Sequence, residues 1–404
     1  MGGIIVVADT HFGIKKDNSI SMPGYFGDFL RWIKELEEEK EKTVKILDGE
    51  TPKDKTLIKP DEIIFLGDIL ELWDSEDEAV NTCVSTLMPT LAEIGAEKIY
   101  VLGNHDNILD KALLSQEKEY YPLGKSNLKI VEDVYPSDKK FLPIGNQNYL
   151  FVHGHQFDKH FTNTGKLSNI LPWLRKVSNA LTNYVPLLFG ISIVSAIINK
   201  LISNDKILVL GKPEIVVLLF FLTFPKLYMT FGRRFWSWFS GVKYKKHETI
   251  DNFTKWWKLF IGNNKVPENL NVVYGHTHFL NYIPKKKTDA KMYQFYMDKL
   301  RDRKIPVETR PAIVNISAWM KDLTKKEPKY KNVMVASFLY IDDKGFEFFG
   351  WDWYEKRIFH IPKEVIIIRR ETKKGVIPDD MAEKLAEIGW PENLIEKWKK
   401  SAEL

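Results

Sequence analysis

Five β-like runs in this chain each end on a short motif built from Asp, Asn and His: IIVVADTH, IIFLGD, IYVLGNHD, YLFVHGH and NVVYGHTH. They deliver Asp9 and His11, then Asp68, then Asn104 with His105 and Asp106, then His153 with His155, and last His276 with His278. This placement restricts the fold strongly, because the carboxyl ends of strands in an α/β sheet open onto one shared crevice. Carboxylate, amide and imidazole side chains collected there are enough to ligate two divalent metals.

In this order D-x-H, GD, GNHD, HGH and GHTH resemble the calcineurin-like metallophosphoesterase superfamily, over roughly residues 1–160 and 270–320. The fold this resemblance implies is α/β: a double β-sheet sandwich flanked by helices, here with an added apolar helical insert. It implies a two-metal hydrolase in which Asp68 bridges the ions, held ~3.5–4 Å apart. Asp9, His11 and His278 match the ligands of one metal, and Asn104, His153 and His276 those of the other. Such a donor set suits Mn²⁺ first, with Fe or Zn²⁺ as alternatives. A hydroxide between the metals is the expected nucleophile, attacking phosphorus in line. His105 matches a histidine that faces the leaving group and protonates it, or else is purely structural. Asp106 is expected to orient that imidazole, or else to serve as a helix cap or turn residue.

The bulk properties are compatible with this reading. At 404 residues the chain has room for two or three domains at ~150 residues each,. Charged residues make up 28% and the net charge is +5, a mildly basic balance that does not by itself call for nucleic acid,. One cysteine, Cys83, excludes an internal disulfide framework and a Cys-based zinc site,. No secretory leader is expected, since Met-Gly-Gly runs straight into the first strand, and Val6 stands where a myristoylation site wants Ser or Thr,. The expected location is cytoplasmic, peripheral or monotopic on the inner membrane face.

Strand–helix alternation over the first hundred residues predicts βαβ units: strands at Gly3–Ala8, Glu62–Leu66 and Lys98–Leu102, helices near 25–42 and 76–94,. Residues 48–60 are polar and contain proline, so they read as a loop. The runs VMVASFLYID, GFEFFGWDWY and IFHIPKEVIIIRR read as strands of the second sheet, and residues 378–403 as a helical tail. The expected domains are a core in two parts, 1–160 and 266–365, an insert at 161–265 and a tail at 366–404. His155 reads either as a residue beside the ligands or as a loop residue. His160, His247 and His360 read as ordinary surface or packing residues, and Trp73 and Trp319 as core aromatics.

Val177 to Asn199 carries no charge, and Ile215–Phe224 is a second apolar run broken by Pro225 and Lys226. Arg233, Arg234, Trp236, Trp238 and Lys243–Lys246 follow. Aromatic and basic residues together suit a headgroup interface. The segment 177–246 therefore reads as a monotopic hairpin contacting a membrane surface, with a buried soluble hairpin or a two-pass anchor as alternatives. Gly67-Asp-Ile-Leu-Glu71-Leu-Trp73 resembles a stretch of UDP-2,3-diacylglucosamine hydrolases, although Gly103-Asn104-His105-Asp106 departs from their GNRD. The resulting expectation is cleavage of a lipid-linked phosphodiester or pyrophosphate. The rivals are a membrane-tethered phosphomonoesterase or protein phosphatase, a nuclease, and a non-catalytic scaffold. Basic residues cluster beside the insert rather than along a cleft, so no nucleic-acid partner is expected.

Overall fold

The computed structural model describes residues 2–12, 23–71, 89–106, 128–131, 133–136, 140–157, 248–262, 264–319, 336–371 and 376–400, with positions 85, 191–194, 197 and 215. Two compact units result: residues 1–157 with 250–404, and residues 158–249.

The first unit holds two large sheets. The seven-stranded sheet runs in the order β15 (Arg357–Ile361), β14 (Gly345–Asp352), β13 (Ser337–Asp342), β1 (Gly3–Val7), β4 (Pro60–Leu66), β5 (Glu97–Val101), β6 (Leu128–Val131). Its half from β1 to β6 is parallel, while β13, β14 and β15 are antiparallel to their neighbours. The second sheet runs β11 (Asn281–Ile283), β12 (Ala312–Asn315), β10 (Leu270–Tyr274), β9 (Gln147–Val152), β7 (Val134–Tyr135), with β8 (Leu142–Ile144) also on β9. There β9, β10 and β12 are parallel.

The near-continuous apolar strands follow from burial on both faces. Successive side chains alternate between faces, so Ile4, Val6, Ile64, Leu66, Ile99 and Val101 meet Tyr149, Phe151, Val273 and Val314 in a core between the sheets. Their neighbours Ile5, Val7, Ile63, Phe65 and Tyr100 point the other way, onto α1 (Pro23–Glu39), whose Phe26, Phe29, Leu30, Ile33 and Leu36 recur at helical spacing,. On the far side of the second sheet, Leu150, Val152, Val272 and Tyr274 pack against α2 (Glu248–Ile261) and α3 (Lys291–Asp302). This is the expected layering of two facing sheets covered by helices.

Three expectations change. Residues 51–58, read as part of a loop, form β3 (Thr51–Ile58), which pairs with β2 (Glu41–Asp48) in a hairpin. Its two-residue turn begins at Gly49 with φ +62°, where glycine meets the twist without strain,. One side of this polar ribbon is anchored: the Tyr340 hydroxyl donates to Ile58 O (3.2 Å) and accepts from Ile58 N (2.8 Å), and His360 Nδ1 accepts from Leu47 N (3.1 Å). His360 is thus a buried packing residue. Second, β13, β14 and β15 complete the first sheet rather than building the second. The last of them stops at Ile361, since Pro362 has no N–H for the ladder and α4 (Lys363–Glu371) begins after it,. Third, the tail is two helices, α5 (Asp379–Glu387) and α6 (Glu392–Lys400), broken around Gly389 and Pro391, with Trp390 and Trp398 buried against the inter-sheet core.

Of the second unit, few residues are described. Ile191, Ile193, Val194 and Ile197 are helical and expose 42%, 41%, 55% and 54% of their surface. No helix among the described residues is long and apolar enough to cross a membrane. The rest of the 177–246 segment, the helix expected near 76–94 apart from positions 85 and 89–94, Trp73, Cys83, His160 and His247 lie outside the described residues.

Candidate metal centre

Five motif residues take backbone conformations that side-chain-bearing residues rarely adopt: Asp9 (φ 52°), His11 (47°), Asp68 (51°), His276 (62°) and His278 (59°),. Each follows a strand that would otherwise carry it past the crevice, and the left-handed step turns its side chain inward. Such strain persists where surrounding bonds over-determine the backbone. Here Asp9 N donates to Gly67 O (3.1 Å), His11 N to Asp68 O (2.9 Å), Phe12 N to Ile69 O (2.7 Å) and Glu71 N to Phe12 O (2.8 Å). These bonds lace the turn after β1 to the turn after β4. Trp319 N donates to Asp9 O (3.1 Å), and the Trp319 ring lies in the aromatic core as expected.

The two sheets bring their motif ends together. His153 Nε2 stands 3.2 Å from Asp68 Oδ2 and 3.2 Å from Asn104 Oδ1, with its Nδ1 donating to Leu66 O (2.9 Å). His278 Nε2 lies 3.6 Å from Asp9 Oδ1 and 3.3 Å from His11 Nε2. His276 N donates to Asp9 Oδ2 (2.8 Å) and His105 N to Asp68 Oδ1 (2.8 Å). The donor atoms fall into three overlapping groups: Asp9, His11 and His278; His11, Asp68 and His105; Asp68, His153 and His276. All seven expected ligands therefore meet in one place, drawn from both sheets.

The motif glycines are explained by the same crowding. A Cβ at Gly103 would run into the Asp68 carboxylate and backbone, and one at Gly275 into the Asp9 carboxylate. Only hydrogen fits between those carboxylates and the neighbouring turn.

His105 and Asp106 do different things. The His105 ring meets Glu71: its Nδ1 is 2.8 Å from Glu71 Oε1, while Glu71 Oε2 lies 3.1 Å from His11 Nδ1. Asp106 turns away, accepting from Gly103 N (2.6 Å), Ile69 N (2.8 Å) and the Tyr100 hydroxyl (2.5 Å). The orienting carboxylate beside His105 is Glu71, and Asp106 ties the GNHD turn down, as a turn residue does. Glu71 was visible in the sequence within the GDILELW stretch, but nothing there separates it from the chain's many other glutamates. His155 sits in a short 3₁₀ turn with its ring 5.5 Å from His153 and 6.4 Å from His276.

Acidic and imidazole groups packed this closely shift one another's proton affinity. Burial pushes the Asp9 carboxyl up to about 7, against the pull of His153,. Burial also acts on Asp68, but the imidazoles of His153, His105 and His11 outweigh it and hold that carboxyl well below its ordinary value. His153 is raised to about 10: burial opposes its charge, and the Asp68 carboxylate more than compensates. Glu71 is lowered in spite of burial by its bonds to His105 and His11. The donor set fits divalent metals. Asp9 Oδ1 is buried without a hydrogen bond, and two imidazole Nε2 atoms 3.3 Å apart repel unless a cation or proton lies between them,.

The profile of the calcineurin-like phosphoesterase family matches residues 3–305, most of the chain. The protein belongs to that family. No curated protein sequence matches it. Family membership makes this phosphoesterase a metal-dependent hydrolase of phosphoester bonds, and the Asp and His groups could hold a metal ion.

Proposed function

We propose that this phosphoesterase works with two metal ions: Asp9, His11 and His278 hold one, Asn104, His153 and His276 the other, and Asp68 bridges them. The observation that carries the reading is that Asp68 belongs to two of the three donor groups. Bound ions supply Lewis acidity, activating water and offsetting charge on the phosphoryl oxygens. His105 holds the proton for the leaving oxygen. Glu71 accepts from its Nδ1, and Nε2 is the atom that would carry the proton to the leaving oxygen,. The His105 backbone N donates to Asp68 Oδ1 (2.8 Å), which ties this turn to the carboxylate proposed to bridge the ions.

We also infer that the 177–246 segment brings the enzyme to a membrane surface, where it cleaves a lipid-linked phosphodiester or pyrophosphate. The support is the uncharged Val177–Asn199 run and the exposed isoleucines and valine at 191, 193, 194 and 197. Removing apolar chains from a bilayer costs ~0.8 kcal/mol per CH₂, so an enzyme for such a substrate gains by working at the surface.

Both readings are tested by Mn²⁺-dependent hydrolysis of bis(p-nitrophenyl) phosphate and p-nitrophenyl phosphate, with the Asp68→Asn protein as blank. Preference for the diester is expected. Preference for the monoester would replace the lipid diester reading with a membrane-tethered phosphatase. A wild-type protein that binds a single equivalent of metal would overturn the two-metal assignment.

A further inference from the structure

Away from the metal centre, two cations stand together with no anion in bonding range among the described residues. Lys285 follows β11 and Arg310 precedes β12. These strands are antiparallel, with Ile283 opposite Ile313, so both cations lie at the amino end of β12. The metal motifs follow the carboxyl ends of β9 and β10, which are parallel to β12, and so lie at the opposite end of this sheet. Lys285 Nζ is buried and has no acceptor among the described residues. The Arg310 fork donates to Lys285 O (2.5 Å) and to the Met297 thioether (2.8 Å), with its Cζ 5.5 Å from the Tyr293 ring centre, and its buried Nε has no acceptor among the described residues.

Neither side chain has a carboxylate in bonding range among the described residues. A buried ammonium without an acceptor is strongly disfavoured. Burial indeed lowers the Lys285 pKa, Arg310 lowers it further, and Glu268 opposes both from beyond bonding distance. Arg310 carries the second positive charge. Its guanidinium is held by a carbonyl, a sulfur and a ring face, an orientation fixed before any ligand arrives. Lys286 and Lys287 are exposed beside it and add positive field at the entrance,.

We propose that Lys285 and Arg310 form a second, metal-independent site that binds a phosphate group, free or carried on a small ester. A tetrahedral dianion offers acceptors in several directions, so it can take the ammonium and an edge of the guanidinium together. A single carboxylate would leave one of the two charges uncompensated.

The test uses chelator-treated full-length protein titrated calorimetrically with inorganic phosphate and with glycerol 3-phosphate. Wild type is expected to bind one equivalent at about millimolar concentrations or below. Lys285→Met and Arg310→Gln are each expected to weaken binding about tenfold or more, and Asp68→Asn to leave it unchanged. Lys285→Met should also melt at a higher temperature than wild type in phosphate-free buffer, because an unpartnered charge is gone while the stem still packs. Binding of both probes places an open site here, and binding of inorganic phosphate alone a closed one. Undiminished binding in both variants would put the phosphate among the imidazoles and overturn the assignment, as would no binding by wild type.

Discussion

Glu71 places its two oxygens on two different imidazoles, 2.8 Å from His105 Nδ1 and 3.1 Å from His11 Nδ1. A substitution there therefore reaches both the expected proton donor and an expected metal ligand. Glu71→Gln should lower kcat by about 10–100-fold and weaken metal binding, the usual scale for a carboxylate behind a ligating histidine. Steady-state kinetics with a parallel metal titration separates the two effects. His105→Asn should keep both metals by elemental analysis and lose about 10²–10⁴ in kcat; loss of one metal would make His105 a ligand. A pH dependence follows from the ligands themselves. His153, raised to about 10, and Asp9, raised to about 7, hold protons near neutrality that a metal must displace. Binding releases those protons, so apparent metal affinity should rise between pH 6 and 8, by up to about tenfold per unit for each proton displaced. A flat profile would show that the ligands are already deprotonated. At this scale the cluster was legible because strand-end Asp, Asn and His are rare in such order. Glu71 was not, since its role depends on a turn-to-turn pairing of residues 12 and 69–71 that no local pattern announces.

The β2–β3 hairpin shows the limits of periodicity for a single element. Its outer face is charged and Pro52 lies within it, so residues 48–60 read as a loop, yet Leu47 is buried with the inter-sheet core, Leu57 with the cluster around α1, and Tyr340 anchors Ile58. Tyr340→Phe should cost about 1 kcal/mol and speed hydrogen exchange at Ile58, since both bonds end on that one hydroxyl. Exchange no faster than in wild type would show that burial alone holds the ribbon. The strands β13 to β15 were recognisable as strands but not assignable to a sheet. Their alternation specifies a buried ribbon, whereas the choice of neighbour is a long-range pairing to β1 that sequence spacing does not encode,.

For the molecule as a whole, deletion of residues 177–246 should abolish co-sedimentation with anionic liposomes and leave the metal content of the remaining protein unchanged. The first unit carries all the motif residues, and the deleted segment falls within the second. Liposome binding that survives the deletion would move the membrane contact elsewhere. The family match stops at residue 305, but the first sheet does not: β1 lies between β4 and β13, with Ile4 opposite Ile341. This has a consequence for the order of events on the ribosome. At about 5–20 residues per second, an apolar strand near the amino terminus waits on the order of tens of seconds for the second of its two neighbours. Until then its bare edge is available to other nascent chains. Trp319, which fastens the Asp9 carbonyl, is also a late arrival. The earliest of the clustered acidic residues to be synthesised, Asp9, is thus among the last to be held in place.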